Sequence, residues 1–149
     1  MNNIDIQLAT DSAKVPSEHL LIAWCNAALQ HEHTGAELTL RIVDAEEIRN
    51  LNAQYRHKDT YTNVLSFPCE LPAACELNLL GDIIICASVV EQEAAEQSKM
   101  LDHHWAHMVI HGTLHLQGYD HTNDDDAEIM EALEITILSQ FNIANPYAG

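Results

Sequence analysis

Basic residues are scarce in this sequence. Only six of 149 residues are Lys or Arg, against 23 Asp or Glu, and the formal net charge is −17. Sequence-independent binding to nucleic acid needs cations against phosphate, so this chain is not expected to coat DNA or RNA unaided. The few bases are unevenly spread, because Arg41, Arg49, Arg56 and Lys58 lie between positions 41 and 58. They read either as solvated side chains or as a local positive patch able to meet RNA. Long apolar runs are also missing. None approaches the roughly 20 residues of a membrane helix, so no membrane partner is expected. The opening Met1-Asn2-Asn3-Ile4-Asp5 lacks a basic stretch followed by an apolar one, so no signal peptide is expected. Cys25, Cys69, Cys75 and Cys86 form no C-x-x-C pair and sit in or beside apolar sequence. A free thiol there behaves as a small hydrophobe, and reduced thiols in the cytoplasm are the expectation. A mixed Cys/His zinc site is the lesser alternative.

Apolar residues make up 47% of the chain, enough for one hydrophobic core. No linker, repeat or composition shift divides it. One domain over residues 1–149 is expected, with a loose tail over 142–149. Ile4, Ile6 and Leu8 alternate with polar residues, as do Leu38, Leu40 and Ile42, and both stretches read as strands. Between them, Pro16 opens a helix through Leu20, Leu21, Trp24 and Ala28, which Gly35 closes. Asp44 with Glu47 and Ser88 with Glu91 have capping-box spacing for two further helices. Residues 64–67 and 82–86 read as short strands, with an irregular stretch over 68–78 that contains Pro72. Asp102 is placed to cap a histidine-rich helix, and Asp125 with Glu128 to open the last one. The expected fold is α+β: a small mixed four-stranded sheet packed with about five helices.

Six of the ten histidines fall between positions 103 and 121. His111 and His115 are four apart, so on a helix their side chains share one face. Gly118 lets the chain leave that helix and turn back, which brings His121 round as a third nitrogen ligand. Three imidazoles with a fourth position open describe a catalytic metal site of zincin-like layout, with zinc as the expected ion. Iron, nickel and copper also accept imidazole. His107 lies on the same four-residue ladder and competes with His111 as a ligand, or else packs or supports one. His103 and His104 read as surface residues at the helix start.

The spacing H-x-x-x-H-x-x-G-x-x-H is that of metzincin proteases, but their glutamate base after the first histidine is here Gly112. A protease reading therefore lacks its proton acceptor. The full run His111-Gly112-Thr113-Leu114-His115-Leu116-Gln117-Gly118-Tyr119-Asp120-His121 closely resembles the YbeY family of bacterial ribosomal-RNA maturation factors. Two further stretches carry the same resemblance: residues 52–68, ending Thr62-Asn63-Val64-Leu65-Ser66-Phe67-Pro68, and Leu80-Gly81-Asp82-Ile83. The family usually has aspartate where this chain has Asn63, so a carboxylate base is not expected there, whereas a hydrogen-bonding role survives.

The resemblance implies a metal-dependent endoribonuclease for single-stranded RNA, acting in 16S 3′-end maturation with the small ribosomal subunit and assembly proteins. It places His111, His115 and His121 on the metal and Arg56 in the active site. A guanidinium suits the charge that grows on a phosphodiester during cleavage. His111 and Arg56 are thus the expected catalytic pair. Asp120 and Asp82 stand as supports of a ligand histidine or as bases, and Arg41, Arg49 and Lys58 as RNA contacts. No DNA substrate is expected. A non-catalytic ribosome assembly factor is the other reading.

Overall fold

Side chains of β4 (Leu79–Cys86) are buried on both faces, which sets the layering. Ile83 and Ile85 join one apolar cluster, whereas Ile84 and Cys86 join another. A strand buried on both sides belongs in the middle of a sheet covered by helices. The computed structural model describes residues 2–29, 35–69 and 79–148. Within them the order is β1 (Asn3–Ala9), α1 (Glu18–Leu29), β2 (Glu37–Val43), α2 (Ala45–Arg56), β3 (Val64–Pro68), β4, α3 (Ala87–Glu96), α4 (Leu101–Leu116) and α5 (Asp124–Ser139). The expected mixed sheet is present, in order β1-β2-β4-β3. β1 and β4 flank β2 in parallel, and β3 joins β4 antiparallel as an edge. None of the described helices is long and apolar enough to cross a membrane. Most of the irregular stretch, with Pro72 and Cys75, lies outside the described residues.

α4 is the central helix. Trp105, Val109, Ile110 and Leu114 are fully buried. Each such aliphatic side chain stabilises the fold by roughly 1.5–3 kcal/mol relative to exposure. Gly112 faces the sheet. A Cβ built there would lie 2.8 Å from Ile83 Cγ2 and 3.3 Å from Val64 Cγ2, so the helix approaches β3 and β4 at its one residue without a side chain. Ser66 Oγ donates to the Gly112 carbonyl at 3.2 Å across this contact. The last turn closes as expected at Gly118, with φ +99°. Tyr119 N–H donates to Leu114 O and Gly118 N–H to His115 O, the paired bonds of a Schellman motif.

The capping boxes did not form as read. Asp44 stands at the start of α2, but its carboxylate accepts the Thr10 hydroxyl, and Glu47 is held by Arg41. Glu91 accepts from Ser12, and α3 begins after Cys86. Tertiary partners outcompeted the local caps. α4 starts after Met100, with Asp102 in its first turn. The cap of α5 is Asn123, whose side chain accepts the Asp126 N–H. The tail expected to be loose is tied down. Ile143 is buried, Lys99 Nζ donates to Pro146 O at 3.2 Å, and Tyr147 reaches Glu134.

Candidate active site

α4 presents His111 and His115 on one face, and the turn at Gly118 carries His121 back to them. The ring centroids lie 4.6 Å apart for His111–His115, 5.0 Å for His115–His121 and 5.4 Å for His111–His121. One ligand atom from each falls within 4.8 Å of the others. In a tetrahedral site two nitrogens each about 2.1 Å from the ion stand about 3.4 Å apart, so any closure needed is at most about 1.4 Å. The donor set therefore fits a divalent ion. Burial, followed by the nearness of His111 and His121, pushes the pKa of His115 down to about 4. Its ring is thus neutral, the form that ligates, at ordinary pH.

His111 is oriented by a residue that sequence reasoning missed. Glu134, on α5, is wholly buried and its Oε1 lies 2.7 Å from His111 Nδ1. Tyr147 donates its hydroxyl to Glu134 Oε2 at 2.6 Å, and His107 Nε2 lies 3.3 Å from the same oxygen. Burial alone would raise the Glu134 pKa, but bonds from His107, His111 and Tyr147 hold it down at about 2. An ionised Glu134 keeps a proton on His111 Nδ1 and leaves Nε2 its lone pair. The signal was a lone acid on the apolar stripe of α5, between buried Met130 and Ile137. His107, His111 and Glu134 form a second group close enough to hold an ion, though there the Glu134 oxygens already accept from three donors. His107 is therefore packed against Glu134 and Tyr147. His104, expected at the surface, is buried because the start of α4 packs on α3, where Glu93 meets its Nε2 at 2.9 Å.

The three histidines open into a cavity of about 620 Å³ that also takes in Arg56, Asn63, Ser66 and Asp120. Arg56 ends α2, and His57 follows in a left-handed conformation that turns the chain away. Arg56 Nη2 donates to Ser66 O at 2.6 Å on the free side of β3, and its guanidinium lies over the Phe67 ring. Asn63 donates to Glu93 and accepts the Val64 N–H, so its amide is tied on both sides.

The remaining candidates separate. Asp120 lines the cavity, but its Oδ1 accepts the His121 backbone N–H at 2.7 Å and not a ring nitrogen. Asp82 is not beside the histidines. It lines a neighbouring groove on the α2 side of the sheet, because β4 alternates and Ile83 takes the α4 side. Of the two readings of the bases between 41 and 58, a positive patch is largely neutralised. Arg41 is paired with Glu47 through two bonds, and Arg49 with Asp59 through two. Lys58 is exposed beyond α2. Gly112 leaves no room for the metzincin glutamate, since any side chain there would meet Ile83.

Fold and cavity define a class: a small α+β domain with a zincin-like cluster of histidines that could hold a metal ion beside an arginine. Within that class, the chain belongs to the Endoribonuclease YbeY family, whose profile matches residues 3–142. It is 54% identical over 149 residues to Endoribonuclease YbeY of Pseudomonas putida (strain W619), covering 99% of this chain and 94% of that one. The solution structure of TM1509 from Thermotoga maritima matches with a TM-score of 0.60 at 25% identity, over 95% of this chain and 92% of that one. Membership supports an endoribonuclease role.

Proposed function

We propose that the chain acts as one metallo-endoribonuclease domain that hydrolyses single-stranded RNA with a zinc ion held by His111, His115 and His121. Its substrate in the cell is ribosomal RNA near the 16S 3′ end, in the cytoplasm, reached with the small subunit and assembly proteins. The observation that carries the reading is the shared cavity: Arg56 and the three histidines open onto one space. Family membership supplies the substrate class.

Bound zinc would act as a Lewis acid and bring the pKa of a bound water to about 7. The chain's own residues do the rest. Glu134 holds the proton on His111 Nδ1. Arg56 keeps one N–H on Ser66 O and turns other donors to the phosphate oxygens, whose charge grows as phosphorus gains a fifth oxygen. Asp120 has Oδ1 fixed by the His121 N–H, so Oδ2 takes the proton of the attacking water. A phosphorus–oxygen ester bond then breaks, and the leaving oxygen takes the proton that Asp120 accepted from the water.

The test is cleavage of an end-labelled single-stranded RNA by purified protein, with zinc and with chelator. We expect His111→Ala and Arg56→Ala each to lose at least about a hundredfold in rate, as for removal of a charge-stabilising donor. Cleavage that continues undiminished in both variants would sink the assignment. Small-subunit binding that survives chelator, with no cleavage by any form, would point to a scaffold instead.

A further inference from the structure

A second groove, of about 610 Å³, runs along the α2 side of β3. It shares Arg56 and Pro68 with the histidine cavity, so the two make one path around the edge strand. Tyr55 lines it and is 56% exposed. Its ring meets Phe67 edge-on, with centroids 5.4 Å apart at 67°. Phe67 is engaged by the Arg56 guanidinium at 5.4 Å, whereas Tyr55 keeps an open face. Asp82 is exposed on the same groove, and its carboxylate has no hydrogen-bond or ionic partner among the described residues.

We propose that this groove binds one base of single-stranded RNA beside the cleaved phosphate. The inference rests on the endoribonuclease reading above. The base stacks on Tyr55, its exocyclic amino group donates to Asp82, and its phosphate lies at Arg56. An acid in an RNA groove repels phosphate, so its use there is to meet a donor on a base. Adenine, cytosine and guanine carry such an amino group. Uracil offers a single N–H between two carbonyl oxygens, which the carboxylate would repel. A base must be splayed from its neighbours to enter, which a single strand permits and a duplex resists. A peptide strand is the weaker occupant. Arg56 already occupies the Ser66 carbonyl on the free edge, and Pro68 has no N–H to pair.

The experiment measures fluorescence anisotropy of short oligo(A), oligo(C) and oligo(U), with non-cleavable linkages, on the full-length zinc-loaded protein. Wild type is expected to bind oligo(A) and oligo(C) about tenfold tighter than oligo(U), the scale of one charge-assisted hydrogen bond. Tyr55→Ala should weaken all three by about tenfold, within the range of one lost stacking contact, while Tyr55→Phe restores binding. Asp82→Asn should shrink the discrimination against oligo(U) to about twofold or less. Should Tyr55→Ala fail to fold, Asp82→Asn carries the test alone. Wild-type affinity and preference in folded, zinc-containing Tyr55→Ala and Asp82→Asn, with wild type still cleaving RNA, would overturn the base subsite and leave the endoribonuclease standing. Wild type that neither binds nor cuts single-stranded RNA would remove both.

Discussion

At the scale of single residues, the centre depends most on a side chain far from it in sequence. Glu134 lies 23 positions beyond His111, and Tyr147 a further 13 beyond Glu134. His111, His115 and His121 were legible because helix geometry and a glycine turn fix them locally. Glu134 was not, because only the packing of α5 on α4 brings it to His111. Replacing Glu134 by Gln keeps the shape and removes the charge that stabilises the ring's ligating form. Zinc affinity, measured by competition with a chromophoric chelator, should fall about 10- to 100-fold. A second expectation concerns acid. In the metal-free protein, burial holds the His115 pKa at about 4, below its ordinary 6.5. The unfolded chain therefore binds the extra proton between these values, so stability is fully present above about pH 6.5 and falls as pH drops toward 4. Urea midpoints in chelator across that window should show the decline, and His115→Gln should flatten it.

At the scale of elements, α4 and its seat on β3 and β4 decide the geometry. The strands and most helices were readable from alternation and spacing. The sheet order was not, because β4 inserts between β2 and β3, and nothing local in its sequence states which neighbours it will take. The same gap misplaced Asp82, whose face follows from the register of β4. Gly112 shows how a residue read for the proton acceptor it lacks has a separate packing reason to be glycine. Gly112→Ala gains about 1 kcal/mol of helix propensity but forces a methyl against Ile83 Cγ2, and overpacking typically costs about 1–3 kcal/mol. We expect a net loss of stability in urea together with weaker zinc binding, because His111 moves with the helix. In the pair with Ile83→Ala, the two losses should sum to more than the double variant shows.

At the scale of the whole molecule, the charge is the governing fact. With a net charge of −17 and with Arg41 and Arg49 held by carboxylates, Arg56 and Lys58 are the bases of the 41–58 stretch left to meet phosphate. Binding of single-stranded RNA should then be weakly salt-dependent. Each neutralised phosphate contributes a log–log slope of about −0.7, so two give about −1.4. A titration of oligonucleotide affinity against potassium chloride checks this. A slope steeper than about −2 would require basic residues other than these two.

The bond from Arg56 to the Ser66 carbonyl carries a last consequence, for handling the protein and not for its chemistry. That carbonyl lies on the unpaired side of the sheet, where a second molecule could add a strand. Arg56→Ala exposes it, so preparations of this variant should self-associate at concentrations where wild type stays monodisperse in light scattering. Its lost activity must therefore be read on the monomer peak, or colloidal failure will pass for a catalytic defect.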